Sequence, residues 1–384
     1  MTATLDESTP VVLDVQLRSG VAGLRGLGRA GFGPVALGRT WADPGLWSRH
    51  AAAKAVIKGS AESPRHVADA VARAAGPGVP YPGEERTIDL ILDAAALDPR
   101  IVAPFPAAAT HLLRQKSNLA ALAAEAGIAV PRTRDVATAA ELRGTRLRFP
   151  FAIKSDDPVG SLSATRIVES REALDAILDR LPGDEPVVLQ ERLGGPLLCL
   201  AMVIDRAGDV AARFQHIAHS TWPAEAGPTA RAISVAPDLD LFGRITRLLR
   251  AVGYWGLVQL DFLPGRHGLA LVDANPRYYP ALALATACGV NLPAAWHRVV
   301  VGAPAVAPAA YRTGVHYRWL EADVVAALRG RPGRLLRRAG GPTTGAMWHA
   351  QDPTPAALLA AVAVASRATS RVRSTIASHR PHRP

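Results

Sequence analysis

Asp261, Asp273 and Asn275 are oxygen donors whose spacing lets strand alternation bring them together. In the run from Leu257 to Phe262, Val258, Leu260 and Phe262 face one way while Gln259 and Asp261 face the other, because strand side chains alternate with period two. By the same alternation Leu271, Asp273 and Asn275 share one side of the next run, and the turn from Pro264 to His267 folds that side against Asp261. Two carboxylates and an amide on adjacent strands suit a hard cation such as Mg²⁺, which keeps waters and completes its shell with substrate phosphates. Taken alone, Asp261 reads as an ordinary solvated residue beside a hairpin. The convergence of three donors is what lifts it above that reading.

Lysine occurs only at Lys54, Lys58, Lys116 and Lys154, which makes each one informative. Lys154 ends the strand-like run Phe149 to Ile153, and a helix from Arg171 to Leu181 and a strand from Pro186 to Gln190 follow it. Cys199 to Ile204 and Val210 to Ile217 flank Asp205–Gly208 as a second hairpin, and Leu239 to Val252 has helical periodicity. Upstream, Val11 to Val15, Val21 to Ala30 and Pro34 to Leu37 read as a βαβ start. Gly20, Gly23 and Gly26 approach a dinucleotide fingerprint without matching it, so tight helix packing is the favoured role. A helix is expected at Pro64 to Ala75, further strands at Ile88 to Ile91 and at Ile101–Val102, and a helix from Leu112 to Ala126 stopped by Gly127.

A chain of 384 residues, 49% hydrophobic, has room for two or three packed units of α/β class. Its formal charge of +11 invites a polyanionic partner. Much of the excess lies in Arg329 to Arg338 and Arg367 to Arg383, with no interleaved aromatic residues to stack on bases, so no nucleic-acid partner is expected. Cys199 and Cys288 lie far apart in apolar surroundings and read as reduced core thiols. With no basic-then-apolar leader and no membrane-length apolar run, a cytoplasmic protein without a membrane partner is expected. Leu358 to Ala365 reads as a short packed helix and the last fifteen residues as disordered.

The run Leu271-Val-Asp-Ala-Asn-Pro-Arg277, with Ala281-Leu-Ala283 and Ala287-Cys-Gly-Val-Asn-Leu-Pro293 after it, resembles the signature of the ATP-grasp superfamily. The resemblance runs from about Leu17 to Gly302, includes Leu27 to Gly31, and is to the small carboxylate-amine ligases and to the carbamoyl phosphate synthetase and biotin carboxylase branch. It implies a Rossmann-like pre-ATP-grasp domain (1–112), a small lobe (113–187) and a large lobe (188–304) whose antiparallel sheets sandwich ATP, then a C-terminal extension (305–384). It also implies ATP with Mg²⁺, admits Mn²⁺ in its place, and places the metal on Asp261, Asp273 and Asn275. Lys116 and Lys154 correspond to phosphate-contacting lysines, Gln190, Glu191 and Leu193 to the adenine-binding segment, and Arg277 to the arginine facing the transferred phosphate. Arg231 stands where related ligases place an arginine near the acyl phosphate.

The pattern departs from the family at Leu197, where a ribose-contacting carboxylate is expected, and in the stretch Ser155 to Arg166, where Gly160 is the only glycine of the phosphate-covering loop. Gln115 replaces an acidic residue before the first lysine. His216 and His219 read as half-exposed strand histidines, and Tyr278 and Tyr279 either shape an acceptor pocket or pack in the core. The implied activity is an ATP-dependent ligase joining a small-molecule carboxylate to an amine, a homodimer being compatible with it. A bicarbonate-dependent carboxylase and a nucleotide-binding regulator without turnover are the alternatives.

Overall fold

The computed structural model describes residues 8–157, 159–162, 165–222, 227–304, 310–328, 330, 333–336 and 339–362. The chain begins with β1 (Thr9–Val12), α1 (Arg18–Arg29), β2 (Val35–Gly38), β3 (Ala53–Val56), α2 (Pro64–Ala75) and β4 (Gly78–Tyr81). Its four strands form a parallel sheet in the order β3-β2-β1-β4. Val11, Val12, Ala36 and Val79 are fully buried, as expected of strands covered on both faces. The glycines of α1 serve close packing: a Cβ at Gly23 would lie 2.2 Å from the ring of Tyr278.

Two expectations need correction here. The run Ile88 to Ile91 is not a strand but part of α3 (Arg86–Leu97). Ile88, Ile91 and Ala94 recur at helical spacing and are its fully buried positions, a periodicity that a short apolar run conceals. Ile101 does bridge Gly78 at the edge of the parallel sheet. The expected helix from Leu112 to Ala126 is two helices, α4 (Ala107–Arg114) and α5 (Lys116–Glu125). They are broken at Gln115, whose extended backbone (φ −74°, ψ 122°) ends one and begins the other. The Asp156 carboxylate caps the second, accepting from Ser117 N at 2.8 Å and Ser117 Oγ at 2.9 Å, so Lys116 stands at a helix start.

The next elements are β5 (Thr133–Thr138), α6 (Ala139–Leu142), β6 (Phe151–Ser155), β7 (Arg166–Val168), α7 (Arg171–Leu178) and β8 (Pro186–Glu191). Their strands make an antiparallel sheet in the order β5-β8-β6-β7. Ile153, Val168, Leu174, Leu178 and Val187 form its separate fully buried core. Residue 187 lies inside β8, so the strand reaches past the division expected there while staying in this sheet.

The remaining elements are β9 (Leu197–Ile204), β10 (Val210–Thr221), β11 (Thr229–Ser234), α8 (Leu239–Ala251), β12 (Gly256–Gly265), β13 (Gly268–Asn275), α9 (Leu282–Cys288) and α10 (Leu292–Val300). After them come β14 (His316–Arg318), α11 (Leu320–Leu328), α12 (Gly333–Leu336) and β15 (Thr343–Gly345). Here the sheet has seven strands in the order β13-β12-β9-β10-β11-β14-β15, antiparallel up to the last pair. Its core is continuous with that of the N-terminal sheet. Arg25 of α1 reaches Asp352 at 2.8 Å in a buried ion pair, which ties the end of the described chain to its beginning.

Residues 354–362 are helical, and the rest of the expected helix, like the last fifteen residues, lies outside the described residues. Cys199 and Cys288 are buried free thiols, and no helix among the described residues is long and apolar enough to cross a membrane.

Candidate active site

Strand pairing sets Asp261 directly opposite Asp273, and Gln259 opposite Asn275, across the β12–β13 hairpin. The register shifts immediately after Asp261, so Leu271 pairs with Phe262 and is buried. The expectation that Leu271 shares the face of Asp273 and Asn275 is therefore wrong. A bulge adds one residue to a strand, and past it the alternation is reversed.

A chain of hydrogen bonds fixes the polar face. Gln259 Nε2 donates to Asp261, and Asn275 Nδ2 donates to Gln259 Oε1 at 3.0 Å. Arg277 Nη2 donates to Asn275 Oδ1 at 2.7 Å, and Arg277 Nε donates to Glu85 Oε2 at 3.1 Å. Glu85 also accepts from buried Arg114, whose guanidinium is held by Asp89 as well. Each group thus has its rotamer set by the next, which is the preorganisation that charge stabilisation requires.

Lys116 Nζ forms an ion pair with Asp273 Oδ1, while Lys154 Nζ donates to Val272 O at 2.7 Å. Burial works against the charge of Lys116, but Asp273 and Glu85 outweigh it and hold its pKa above the usual lysine value. Lys154 is pushed down to about 8 by burial, with repulsion from Lys116 and against attraction by Asp273. Burial pushes the Asp261 carboxyl up to about 6 and the neighbouring Asp273 adds to the shift. Burial acts on Asp273 in the same sense, but Lys116 and Lys154 outweigh it and hold that carboxyl below the usual range.

This donor set fits a hard divalent cation. Asp261 faces Asp273 and, among the described residues, has no cation ion-paired to it, and Asn275 Oδ1, which accepts from Arg277, has a second lone pair. Among the described residues no group of three or more His, Cys, Asp or Glu side chains could hold a metal, so further positions would fall to water and phosphate oxygens.

A cavity of about 600 Å³ runs from Gln190, Glu191 and Leu193 between the two antiparallel sheets to Lys154, Asp261, Asp273, Asn275 and Arg277. A second, of about 530 Å³, meets it at Lys154, Asp273, Asn275 and Arg277 and adds Lys116. Between them the two cavities collect the expected metal, phosphate and adenine residues.

Several solved structures are similar in fold to this chain. Biotin carboxylase of Campylobacter jejuni in complex with a β,γ-ATP compound is similar at TM-score 0.59 and 16% identity, over 80% of this chain and 74% of that one. N5-carboxyaminoimidazole synthetase of Staphylococcus aureus is similar at TM-score 0.61 and 12% identity, over 80% of each chain. The biotin carboxylase domain dimer of Hydrogenobacter thermophilus 2-oxoglutarate carboxylase, complexed with MgADP, ADP and bicarbonate, is similar at 0.59 and 14%, over 80% of this chain and 73% of that one.

This chain has the ATP-grasp fold.

At these identities the likeness is one of fold. No protein-family model matches the sequence, and no curated protein is significantly similar to it in sequence.

Within the ATP-grasp cleft, Arg231 is the expected residue that the geometry does not bring in. It lines neither cavity, and its Nη2 donates to the fully buried carboxylate of Asp323 at 2.6 Å. Its strand position pairs with Arg318 of β14, which shares Asp323. Spacing from the glycine turn could not show this, because Asp323 is distant in sequence.

His216 is completely buried rather than half-exposed, and His219 is exposed. The ring of His216 lies between Phe214 and Tyr279 on the wall of the first cavity, and burial pushes its pKa down to about 3, which leaves it neutral. Tyr279 lines that cavity too, while Tyr278 packs against Tyr81 and Trp296. Leu197 lines the same cavity.

Sequence reasoning missed Glu85, Arg114 and Arg18. No spacing signal ties Glu85 to Arg277, which lies 192 residues away. The loop after β6 is organised by another such residue, the buried Glu185, which accepts from Ser155 Oγ at 2.6 Å and Ser161 N at 2.9 Å. A Cβ on Gly160 would lie 2.0 Å from Ser155 Oγ, so the glycine sits where the loop packs closely against Ser155 and Glu185.

Proposed function

We propose that the protein is an ATP- and Mg²⁺-dependent ligase that joins a carboxylate to an amine through an acyl phosphate, releasing ADP and phosphate. The observation that carries this reading is the junction of two cavities at Lys154, Asp273, Asn275 and Arg277. A nucleotide in the first cavity, with its base beside Gln190, Glu191 and Leu193, would present its terminal phosphate at that junction. A substrate in the second would meet it there.

In the first step a substrate carboxylate oxygen bonds to the γ-phosphorus and the bond to the ADP oxygen breaks. In the second, the amine nitrogen bonds to the acyl carbon, the acyl C–O bond breaks with its electron pair going to the departing phosphate, and the amine proton passes to that phosphate or to water. Lys116 and Lys154 supply charge to the phosphates, and Arg277, held by Glu85 and Asn275, supplies a fixed fork of donors to the transferred group. A divalent cation on Asp261, Asp273 and Asn275 would add charge stabilisation of several kcal/mol as the phosphoryl group moves.

A second reading, carboxyphosphate chemistry, is favoured by the fold likeness to biotin carboxylases and to a carboxyaminoimidazole synthetase. ADP release from ATP and Mg²⁺ over paired carboxylates and amines, with and without bicarbonate, separates the two. The ligase reading requires ADP release that depends on both organic substrates and not on bicarbonate, and that is lost in Asp273→Asn. ATP binding without ADP formation across the panel would leave a nucleotide-binding regulator.

A further inference from the structure

Among the described residues, the tryptophans that stand largely in solvent collect in joined segments. Trp41 is 57% exposed, Trp47 43% and Trp348 57%. Trp47 Nε1 donates to Trp41 O at 2.9 Å, and the ammonium of Lys54 lies 3.8 Å above the centre of the Trp47 ring. The segment that carries Trp348 is fastened to the same loop. Asp352 accepts from Ser48 Oγ and Arg49 N, and Gln351 O accepts from Arg49 Nη1 at 3.3 Å.

α11 adds an aliphatic edge. Leu320, Val324 and Leu328 recur every four residues, so they share one face of the helix, and that face is open to solvent while Ala322, Asp323 and Ala326 are buried. β14 and β15 are parallel partners with Arg318 opposite Gly345, so the chain leaves both at the same end of the sheet. α11 starts two residues beyond one strand, and Trp348 stands three beyond the other.

The exposed charge around these side chains has one sign. Arg29, Arg49 and Lys54 are exposed. The carboxylates are turned inward: Asp43 is buried and accepts from Arg39 N and Thr40 N, Asp352 is held by Arg25, and Asp323 by Arg231 and Arg318. Glu321 is half-buried and its charge acts on Arg18. From Val324 onwards the sequence has ten arginines and Asp352 as its only carboxylate, so most of the formal charge of +11 lies there. An apolar patch rimmed by cations is the pattern of a surface that something anionic covers.

Two observations favour lipid over nucleic acid as that partner. The aliphatic edge of α11 gains nothing from phosphates or base edges but can enter acyl chains. One face of Trp47 is taken by Lys54 and its N–H by Trp41, so the ring is not the open platform on which a base stacks. A ring whose N–H is satisfied, with a cation beside it, suits the boundary between acyl chains and headgroups.

We propose that this surface docks the protein on a membrane containing anionic phospholipid. Trp41, Trp47, Trp348 and the α11 edge enter the headgroup boundary, while Arg49 and Lys54 meet lipid phosphates. The expectation of no membrane partner rested on the lack of a spanning run, and a peripheral contact needs none. The docking surface is independent of the reading given to the nucleotide cleft.

The test is co-sedimentation of the full chain with extruded phosphatidylcholine vesicles, with and without about 30% phosphatidylglycerol, at ionic strengths of about 0.1 M and about 0.5 M. Affinity for the anionic vesicles is expected to be higher by about tenfold or more at the lower salt and to fall as salt rises. Trp41→Ser with Trp348→Ser, and separately Val324→Glu with Leu328→Glu, should each lower that affinity by about fivefold or more at an unchanged melting temperature, since all four side chains stand in solvent. No binding by the wild type, equal binding to both kinds of vesicle, or a folded pair that binds like the wild type would overturn the surface. Contact made through the arginine-rich sequence alone would leave both pairs unaffected, so it too counts against the surface. Tight binding of a single-stranded oligonucleotide without binding of vesicles would show a nucleic-acid face and overturn the lipid assignment. Each pair decides the point by itself, so poor folding of one leaves the other as the test.

Discussion

Asp261 faces Asp273 across the β12–β13 hairpin, and only one of the two, Asp273, has a lysine ion-paired to it. The two carboxylates therefore differ in function. Asp273 is anionic and anchored, while Asp261 carries the shift to about 6 and is the group a cation would relieve most. Replacing Asp273 by Asn keeps the shape but removes the charge that pairs Lys116. Loss of several kcal/mol of transition-state stabilisation would lower the ADP-release rate by about 10²-fold or more, at about 1.4 kcal/mol per factor of ten. An Asp273→Asn enzyme with full turnover would remove the metal assignment.

The Asp261 carboxyl also predicts a pH dependence. Its pKa is raised by folding, so the folded protein binds a proton there between the ordinary carboxylate value of 3.8 and about 6. Its contribution to stability is fully present below the lower value and is lost as pH rises through about 6. A cation must displace that proton, so Mg²⁺ affinity should weaken by up to about tenfold per pH unit below about 6 and level off above it. Asp261→Asn should flatten the pH dependence of melting in metal-free buffer. Melting curves and Mg²⁺ titrations at several pH values test both statements, and a Mg²⁺ affinity independent of pH between 5 and 7 would contradict them.

Lys154 titrates in the opposite sense. With its pKa pushed down to about 8, it loses its charge as pH rises through that value, and ATP affinity should fall between pH 7 and pH 9. Lys154→Gln should bind ATP weakly throughout and show a flat profile. A fluorescent-nucleotide titration gives both curves.

Breaking the Arg25–Asp352 clamp should be costly and local. Asp352 also accepts from Ser48 Oγ at 2.7 Å and Arg49 N at 2.9 Å, so Asp352→Ala strips a buried arginine of its counter-ion and releases the segment that carries Trp348. A loss of about 3–5 kcal/mol is expected when one partner of a buried pair is removed. Urea unfolding measures it. MgADP affinity should change little, because neither Arg25 nor Asp352 lines the nucleotide cavity.

Gly160→Ala tests the loop after β6. The added methyl would collide with Ser155 Oγ and Glu185 Oε1, 2.0 and 2.2 Å away, and separate the loop from its anchor. The KM for ATP should rise several-fold and stability should fall as well, because the buried Ser155 and Glu185 would be pushed off their hydrogen bond. Unchanged steady-state kinetics would show that this loop does not cover the phosphates.

What the sequence by itself determined is the local pattern. Period-two alternation placed Asp261, Asp273 and Asn275 on adjoining strands, and hairpin turns and helix periods located most elements, because these signals lie within one or two elements of each other. It failed where a local signal is ambiguous, as at Ile88 to Ile91, or where one residue changes the register, as at the bulge that turns Leu271 into the core.

Tertiary structure decided the partners. That Arg277 is held by Glu85, that Arg231 is occupied by Asp323, and that Arg18 lies over the Trp319 ring all depend on packing between segments remote in sequence. A side chain's charge is written in the sequence. Whether that charge is neutralised, buried or left open to a ligand is set by neighbours that only the folded chain brings within a few ångströms.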